Sequence, residues 1–257
     1  MASVHDIEQA LYELAPRELA AEWDNVGLLA GRRDREVHKV LVSLDVTAAV
    51  VEEARQWGAE LIAAHHPVIF HPVKRVTDQD PAGEILLRLA EHGIAAVCMH
   101  TNLDAAQGGV NDALAAALQL EEAAPLEGGG GIVRTGRLPR PVSVPDFLCA
   151  VQEALGAGGL RCTDGAKPIS RVAVGGGACG EFLWAAAAAG CDAFVTADVK
   201  YNQFLDAAAL GLTLVDAGHF PTEDVVCPVL ARYLSERFPE LAVRKSASHR
   251  EVIQYYM

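Results

Sequence analysis

The sequence predicts an α/β protein made of two similar halves, each with a mostly parallel sheet flanked by helices. Short apolar strands alternate along the chain with amphipathic stretches of about ten residues, which is the pattern of βαβ units. A glycine-rich segment interrupts this alternation, and a similar order of motifs resumes after it. With 257 residues, of which 51% are hydrophobic, the chain is long enough to bury a full core.

In the first half, residues 1–127, three predicted strands alternate with helices. The N-terminal helix begins at a capping box, Ser3 to Asp6. The elements that follow are, in order, the strand KVLVSLDVT (Lys39 to Thr47), the helix AAVVEEARQWG, the strand AELIAAHHP, the helix EILLRLAEHG, the strand and loop IAAVCMHTNLD, and the helix VNDALAAALQL.

The second half, residues 128–257, repeats this order. The tetraglycine at residues 128–131 is the predicted boundary or flexible corner, and the proline-rich PRPVSVPDF continues an irregular region. The elements that follow are the strand ISRVAVGGG, the helix EFLWAAAAAG, the strand CDAFVTADVKY, the helix NQFLDAAALG, and the strand and loop LTLVDAGHFPTE.

Matching motifs in the two halves indicate an internal duplication. Both halves carry the pattern H-x-x-x-[DE] directly after an apolar strand. When the halves are laid on each other, His65 falls opposite Asp198, His100 opposite His219, and Asp104 opposite Glu223.

Composition and charge argue against several classes of partner. Lys and Arg number 21 against 34 Asp and Glu, and the net charge of -13 repels nucleic-acid phosphates. The N-terminal residues show no export signal, and the most apolar helical stretch, from Phe182, is shorter than the ~20 residues of a membrane span. The six cysteines form no C-x-x-C pair, so no disulfide framework or zinc ribbon is indicated. We expect a soluble, cytoplasmic protein without nucleic-acid or membrane partners.

Two adjacent histidines, His65 and His66, end an apolar segment and are followed by Pro67. Because neighbouring side chains of a strand point to opposite faces, both imidazoles reach one point only at or beyond the strand end. Pro67 marks that end, because it cannot donate to a central ladder. The carboxyl ends of strands in open α/β sheets are where ligands bind.

Three imidazoles and two carboxylates share this position, and a divalent metal is what satisfies such a set when it is buried. A lone strand-end histidine is most often structural, but the joint occurrence favours a metal site in a cleft between the halves. Five mixed ligands exceed what one catalytic zinc takes, whereas two ions with a bridging carboxylate use them all. The metals could be zinc, iron, manganese, cobalt or nickel. The predicted ligands are His65, His66, Asp104, His219 and Glu223.

Several motifs together resemble the NIF-three-like dinuclear metal-centre family, which includes the GTP cyclohydrolase I type 2 homologues. They are WDNVGLLAG, SLDVT, AELIAAHHPVIF, HTNLDAAQGGVNDALA, VAVGGGACG and DAGHFPTE. The resemblance spans almost the whole chain and implies that the five predicted ligands hold the metal pair. It also implies a homo-oligomer, a toroidal hexamer with the metals facing its interior, and a small-molecule, nucleotide-like substrate.

Other residues near these motifs have open roles. His100 matches a position kept close to the metals, and either proton transfer or a hydrogen bond that shapes the loop is expected of it. Trp23, Asp24 and Asn25 form either a turn with a buried tryptophan or, as the resemblance implies, a segment in which Asp24 or Asn25 lines the cleft. No sequence argument brings Asp45 to the metals. Gly175, Gly177 and Gly180 fit a dinucleotide-binding pattern with Asp198 about twenty residues on, but a tight turn or a phosphate at the helix start are the favoured alternatives.

The first functional hypothesis is a metal-dependent hydrolase acting on a nucleotide or related heterocycle, with GTP implied by the family name. The general acid or base is Glu223, Asp104 or His100, and Glu223 and His100 are the predicted catalytic residues. The alternative is a non-catalytic protein that binds, stores or delivers metal or acts as an assembly scaffold. A third hypothesis is a nucleotide-binding regulator that uses the glycine loop.

Overall fold

A computed structural model describes residues 2–256, and the chain forms two compact units. The first unit contains the chain up to Gln107 together with Val226–Arg250. The second contains Gly108–Val225 together with the residues from Glu251 onward. Each unit has its own sheet, of five and six strands respectively, which confirms the predicted α/β class. Within residues 2–256, no helix has the length and apolar composition needed to span a membrane.

The first unit begins with the predicted capping box, in which Ser3 and Asp6 hold the start of the first helix. Thr47 and Asp80 cap the next two helices with their side chains, and glycines in the left-handed conformation end both. The elements are α1 (Val4–Leu14), β1 (Gly27–Ala30), β2 (Lys39–Ser43), α2 (Ala48–Trp57), β3 (Leu61–Ala64), α3 (Pro81–His92), β4 (Ala95–Cys98) and α4 (Thr101–Ala105).

The second unit continues the alternation with a longer sheet. Ser143 caps one of its helices, with Pro145 in the first turn. Its elements are α5 (Val110–Ala117), β5 (Glu121–Pro125), β6 (Arg134–Val142), α6 (Val144–Leu155), β7 (Arg161–Cys162), β8 (Ile169–Val174), α7 (Leu183–Ala188), β9 (Ala193–Thr196), α8 (Tyr201–Leu210), β10 (Thr213–Asp216) and α9 (His219–Glu223).

The chain then returns to the first unit through α10 (Val226–Arg237) and β11 (Ala242–Lys245). Strand β11 pairs in parallel with β2, and α10 packs against β11 and α1. At the other end of the predicted first half, α5 packs against strands of the second unit. The compact units therefore do not follow the predicted division at residues 127 and 128, because long-range strand pairing decides where the last helix and strand go.

The two sheets share a core topology. The first sheet has the order β1-β4-β3-β2-β11, and the second β5-β6-β8-β9-β10-β7. In each sheet, three consecutive strands run parallel, and a short antiparallel strand lies beside the last of them. This common pattern supports the predicted duplication, in which β2, β3 and β4 correspond to β8, β9 and β10.

Some local predictions are wrong in informative ways. The tetraglycine lies in the turn between the antiparallel strands β5 and β6, inside the second unit, and the predicted irregular segment after it is partly strand β6. The predicted loops after β4 and β10 are the short helices α4 and α9. The strand predicted over residues 39–47 ends at Ser43, and the carbonyl of the next residue, Leu44, accepts the amides of both His65 and His66.

Candidate metal centre

His65 and His66 lie directly beyond the end of β3, as the sequence predicts. Their two amides both donate to the carbonyl of Leu44, at 3.1 and 2.9 Å. Because one carbonyl receives both amides, the regular strand geometry ends here, and the two imidazoles are no longer held on opposite faces. The ring centroids of His65 and His66 are 4.9 Å apart.

The His65 side chain is completely buried and has a fixed tautomer. Its Nδ1 donates to the carbonyl oxygen of Met99 at 2.8 Å, because a carbonyl only accepts. In the neutral ring the lone pair is therefore on Nε2, which lies 3.5 Å from Oδ1 of Asp104. His65 and Asp104, two of the predicted ligands, thus direct donor atoms towards one point.

His66 is held by Asp45, a residue for which the sequence offered no role at the metals. His66 Nδ1 donates to Asp45 Oδ1 at 2.7 Å, and Nε2 of His249 lies 2.8 Å from the other carboxylate oxygen. Burial raises the pKa of Asp45, but the hydrogen bonds from His249 and His66 outweigh it and hold the pKa well below its usual range. Asp45 is therefore ionised and orients the His66 ring.

His100 is held in the same way by Asp24. Its Nδ1 donates to Asp24 Oδ1 at 2.8 Å, and the buried carboxylate also accepts the amide and the hydroxyl of Thr101. Burial raises the pKa of Asp24, but the hydrogen bonds from His100 and Thr101 lower it by more, so the pKa lies well below its usual range. The sequence left the role of Asp24 open, and in the structure its carboxylate accepts a hydrogen bond from His100.

The three imidazoles of the first unit form one cluster. The ring centroid of His100 lies 5.3 Å from that of His65 and 5.7 Å from that of His66. One ring nitrogen from each histidine lies within 4.8 Å of the others, so that the three could hold a metal ion. His100 is thus part of the donor cluster itself, and Asp104 extends the cluster from the next turn of α4.

In the second unit, His219 and Glu223 lie on successive turns of α9, at positions i and i+4. His219 Nε2 is 3.0 Å from Oε2 of Glu223, whose side chain is buried. His219 Nδ1 donates to Asp198 Oδ2 at 2.7 Å, and Asp198 reaches this position with a positive φ of 51°. The second unit therefore supplies an imidazole and a carboxylate that point together.

The glycine loop after β8 makes room for Glu223. A Cβ added at Gly177, where φ is +63°, would overlap Oε1 of Glu223 and lie 3.1 Å from Nε2 of His219. A Cβ at Gly176 would lie 3.1 Å from Cγ of Glu223. The neighbouring glycines are similarly close to side chains, Gly175 to Cys179 and Gly180 to Gln203. The glycines therefore allow close packing around Glu223, a predicted ligand, and Asp198 accepts a hydrogen bond from His219. The glycines and the aspartate of the dinucleotide-binding pattern thus both have another role.

All four histidines share one arrangement. In each, Nδ1 donates to a carbonyl or carboxylate oxygen, which leaves the lone pair of the neutral imidazole on Nε2. Ligating histidines in metalloproteins are oriented by this kind of hydrogen bond. Together with the buried carboxylates, this donor set fits the binding of a divalent metal ion. The four histidines are His65, His66, His100 and His219.

Register explains why Asp45 escaped the sequence analysis. Strands β2 and β3 pair in parallel with Ser43 opposite Ala64, so Asp45 and His66 each lie two residues beyond this pair. The neighbouring order of β2 and β3 was predictable, but their register was not assigned. His249 carries no local motif, and only the pairing of β11 with β2 brings it to Asp45.

Comparisons with known proteins agree with the resemblance. A sequence model of the Duf34/NIF3 (NGG1p interacting factor 3) family matches residues 2–251. A Clostridium perfringens relative named GTP cyclohydrolase 1 type 2 homolog is 31% identical over 253 residues, covering 95% of this chain and 97% of the relative. A Streptomyces coelicolor relative of the same name is 36% identical over 247 residues, covering 92% and 87%. The solved structure of the Staphylococcus aureus protein SA1388 superposes with a TM-score of 0.92, at 26% identity and 99% coverage of both chains.

Proposed function

The chain belongs to the Duf34/NIF3 family, and we propose that it is a dinuclear metal-dependent hydrolase acting on a nucleotide or a related heterocycle. The observation that carries this proposal is that His65, His66 and His219 are each fixed through Nδ1, which prepares Nε2 for coordination. The proposed ligands of the two ions are His65, His66, Asp104, His219 and Glu223.

The substrate proposal comes from the relatives' name, GTP cyclohydrolase 1 type 2 homolog. The reaction is hydrolytic opening of the imidazole part of the purine ring, with release of formate. Bound divalent ions would supply Lewis acidity and lower the pKa of a water nucleophile towards neutrality. Imidazole and carboxylate ligands bind zinc, iron, manganese, cobalt or nickel, so elemental analysis of the purified protein is needed to identify the metal.

Three side chains are the candidates for transferring protons during the proposed reaction. His100 is the proposed proton-transfer group, because ionised Asp24 fixes its ring and stabilises an imidazolium when Nε2 takes up a proton. Glu223 is the second proposed acid or base, since its carboxylate is buried beside His219 and confined by Gly176 and Gly177. Asp104 occupies the corresponding position on α4 and is the remaining candidate.

Formate release tests the proposal. Metal-replete protein purified without oxygen is incubated with GTP, and formate is measured for the native chain, His66→Ala, Glu223→Ala and a control, His92→Ala, at the exposed end of α3. We expect formate from the native chain and the control, and background levels from the two ligand variants. Turnover that survives in both ligand variants would defeat the proposal. Metal bound by the native chain and lost in the variants, without formate from any sample, would defeat GTP as the substrate and favour the non-catalytic metal-binding alternative.

The toroidal hexamer implied by the resemblance stays a prediction. Light scattering on the purified protein measures it, and a mass of six chains is the expected result.

A further inference from the structure

Two exposed aromatic rings lie beside the histidine cluster of the first unit. Trp23 is 65% exposed and Phe70 is 47% exposed. The two ring centroids are 5.9 Å apart. The centroid of Trp23 lies 6.2 Å, and that of Phe70 6.0 Å, from the ring centroid of His100. The aromatic pair is therefore one imidazole away from His65 and His66.

The backbone under these rings is fixed. Asn25 Nδ2 donates to the carbonyl of Ile69 at 2.7 Å, which ties the segment of Trp23 to the segment of Phe70. Asp24 accepts the Thr101 amide at 3.0 Å, and the Ala21 amide donates to the Thr101 hydroxyl at 2.9 Å. Large apolar rings on a rigid segment that stay in water are typical of a surface that a ligand covers.

Positive charge continues from Phe70 along the same loop. Lys74 and Arg75 line a cavity of about 760 Å³ together with Phe70 and His71. The acidic side chain of this lining, Asp80, already accepts the Gly83 amide at the start of α3. In a chain with a net charge of -13, Lys74 and Arg75 place two cations on the loop that carries Phe70, ahead of Asp78 and Asp80 in the same loop.

We propose that Trp23 and Phe70 form the face on which a planar heteroaromatic ring of the substrate stacks, while Lys74 and Arg75 pair with its anionic group. This inference rests on the proposed function and adds the recognition residues. A nucleotide combines both features, because every base has a π-face and its phosphate carries the charge. Stacking on these rings brings the heterocycle to the edge of the histidine cluster, where His100 can exchange a proton with it.

The expected size of the effect follows from base stacking elsewhere. Loss of one aromatic partner costs about 1–3 kcal/mol per base, which converts to a weakening of the Kd by about 5- to 150-fold. An ordinary exposed surface residue, in contrast, contributes little to a small ligand's binding.

Calorimetric titration of the metal-loaded protein with guanosine 5′-monophosphate tests the inference without requiring turnover. The variants are Trp23→Leu, Trp23→Phe and Phe70→Leu, and the matched control is Trp184→Leu, because Trp184 is 58% exposed in the second unit. We expect both leucine variants of the aromatic pair to weaken binding at least 5-fold, and Trp23→Phe and the control to stay within about 2-fold of native. Metal content should be equal in all samples. Lys74→Ala and Arg75→Ala should weaken binding of the monophosphate but not of guanosine.

The inference is overturned if the native protein binds no nucleotide, or if Trp23→Leu and Phe70→Leu bind it as tightly as native. It is also overturned if Trp23→Leu lowers the oligomer mass without changing nucleotide affinity, since the rings would then cover a second copy of the chain. Aromatic-dependent binding without formate release from GTP would support the inference while defeating the proposed hydrolysis.

Discussion

The short helices α4 and α9 occupy the same place in their two units but support their ligands differently. Each follows the last parallel strand of its sheet and carries an acidic residue four positions after a histidine. In the first unit the pair is His100, the residue directly before α4, and Asp104, and on α9 it is His219 and Glu223. The segment after the first of the three parallel strands contributes Asp45, which holds His66, in the first unit, and Gly176 and Gly177, which lie beside Glu223, in the second.

The difference follows from side-chain length and number. Glu223 is one methylene longer than Asp104, and the backbone of Gly176 and Gly177 leaves the space that this longer carboxylate fills. The first unit instead has two adjacent histidines after β3, and the extra imidazole, His66, needs the fixed carboxylate of Asp45. Carboxylates therefore fix histidines in both units, Asp45 at His66 and Asp198 at His219, whereas backbone clearance is specific to Glu223.

The largest expected effect comes from filling the space that Gly177 leaves for the Glu223 carboxylate. Gly177→Ala places a Cβ on Glu223 and also strains a left-handed backbone, so we expect a loss of about 2–4 kcal/mol in the free energy of unfolding and loss of bound metal. The control is Gly190→Ala, where φ is +72° and nothing lies within 4 Å of the added Cβ. It should lose only the ~1 kcal/mol of backbone strain and keep its metal. Equal losses in denaturant unfolding and equal metal content would show that the contact with Glu223 is unimportant.

Removing the orienting carboxylates gives the next largest effect. Asp45→Asn should weaken zinc binding by about 10- to 100-fold, because His66 loses the ionised acceptor that fixes its ring. Asp198→Asn should weaken it less, since the Asp198 side chain is 54% exposed against 40% for Asp45, and solvent screens its field on His219 more strongly. Competition with a chromogenic chelator measures both affinities, and a larger effect at Asp198 would reverse the comparison.

His249 tests how far the support of His66 extends into the returning segment. His249→Ala leaves Asp45 with its bond to His66 but removes Nε2, which lies 2.8 Å from the other carboxylate oxygen and 3.1 Å from the Asp45 amide nitrogen. Zinc affinity should therefore fall by about 3- to 10-fold, less than in Asp45→Asn. His38→Ala, an exposed histidine of the same unit, is the control and should bind zinc as the native chain does. An affinity unchanged in His249→Ala would confine the support to Asp45.

The smallest expected effect concerns Glu53, which anchors the segment that carries His249. Its carboxylate accepts the Ser246 hydroxyl at 2.6 Å and the Ser248 amide at 2.9 Å. Burial raises the pKa of Glu53, but these hydrogen bonds dominate and lower it from 4.5 to about 2. Because the folded pKa is the lower one, the stability from Glu53 is present above about pH 4.5 and is lost as the pH falls towards 2.

Glu53→Gln should therefore cost about 1 kcal/mol at neutral pH, since solvent screens a partly exposed group, and should flatten the acid limb of the stability curve. Glu91→Gln, at an exposed position of α3, should leave that limb unchanged. Denaturant unfolding between pH 2 and 7 distinguishes the two, and a native-like acid limb in Glu53→Gln would show that the anchor carries no stability.

The sequence predicted the order of strands and helices because hydrophobic period is a local property, visible in each segment. It also placed His65 and His66 beyond a strand end, because alternation and Pro67 both require it. Asp45 and His249 depend on the register and pairing of distant strands, which no local pattern encodes. The role of Gly177 depends on a side chain 46 residues later in a different element, so the sequence showed only a glycine turn.

Anomalous diffraction from crystals soaked in zinc tests the central claim, that His65, His66 and His219 coordinate metal through Nε2. Data collected on both sides of the zinc absorption edge locate the ions without assumptions about the ligands. The account predicts two peaks per chain, with Nε2 of His65, His66 and His219 and the carboxylates of Asp104 and Glu223 at about 2.0–2.2 Å. Ions bound through Nδ1, with the bonds to Met99, Asp45 and Asp198 broken, or no peak within reach of these side chains, would contradict it.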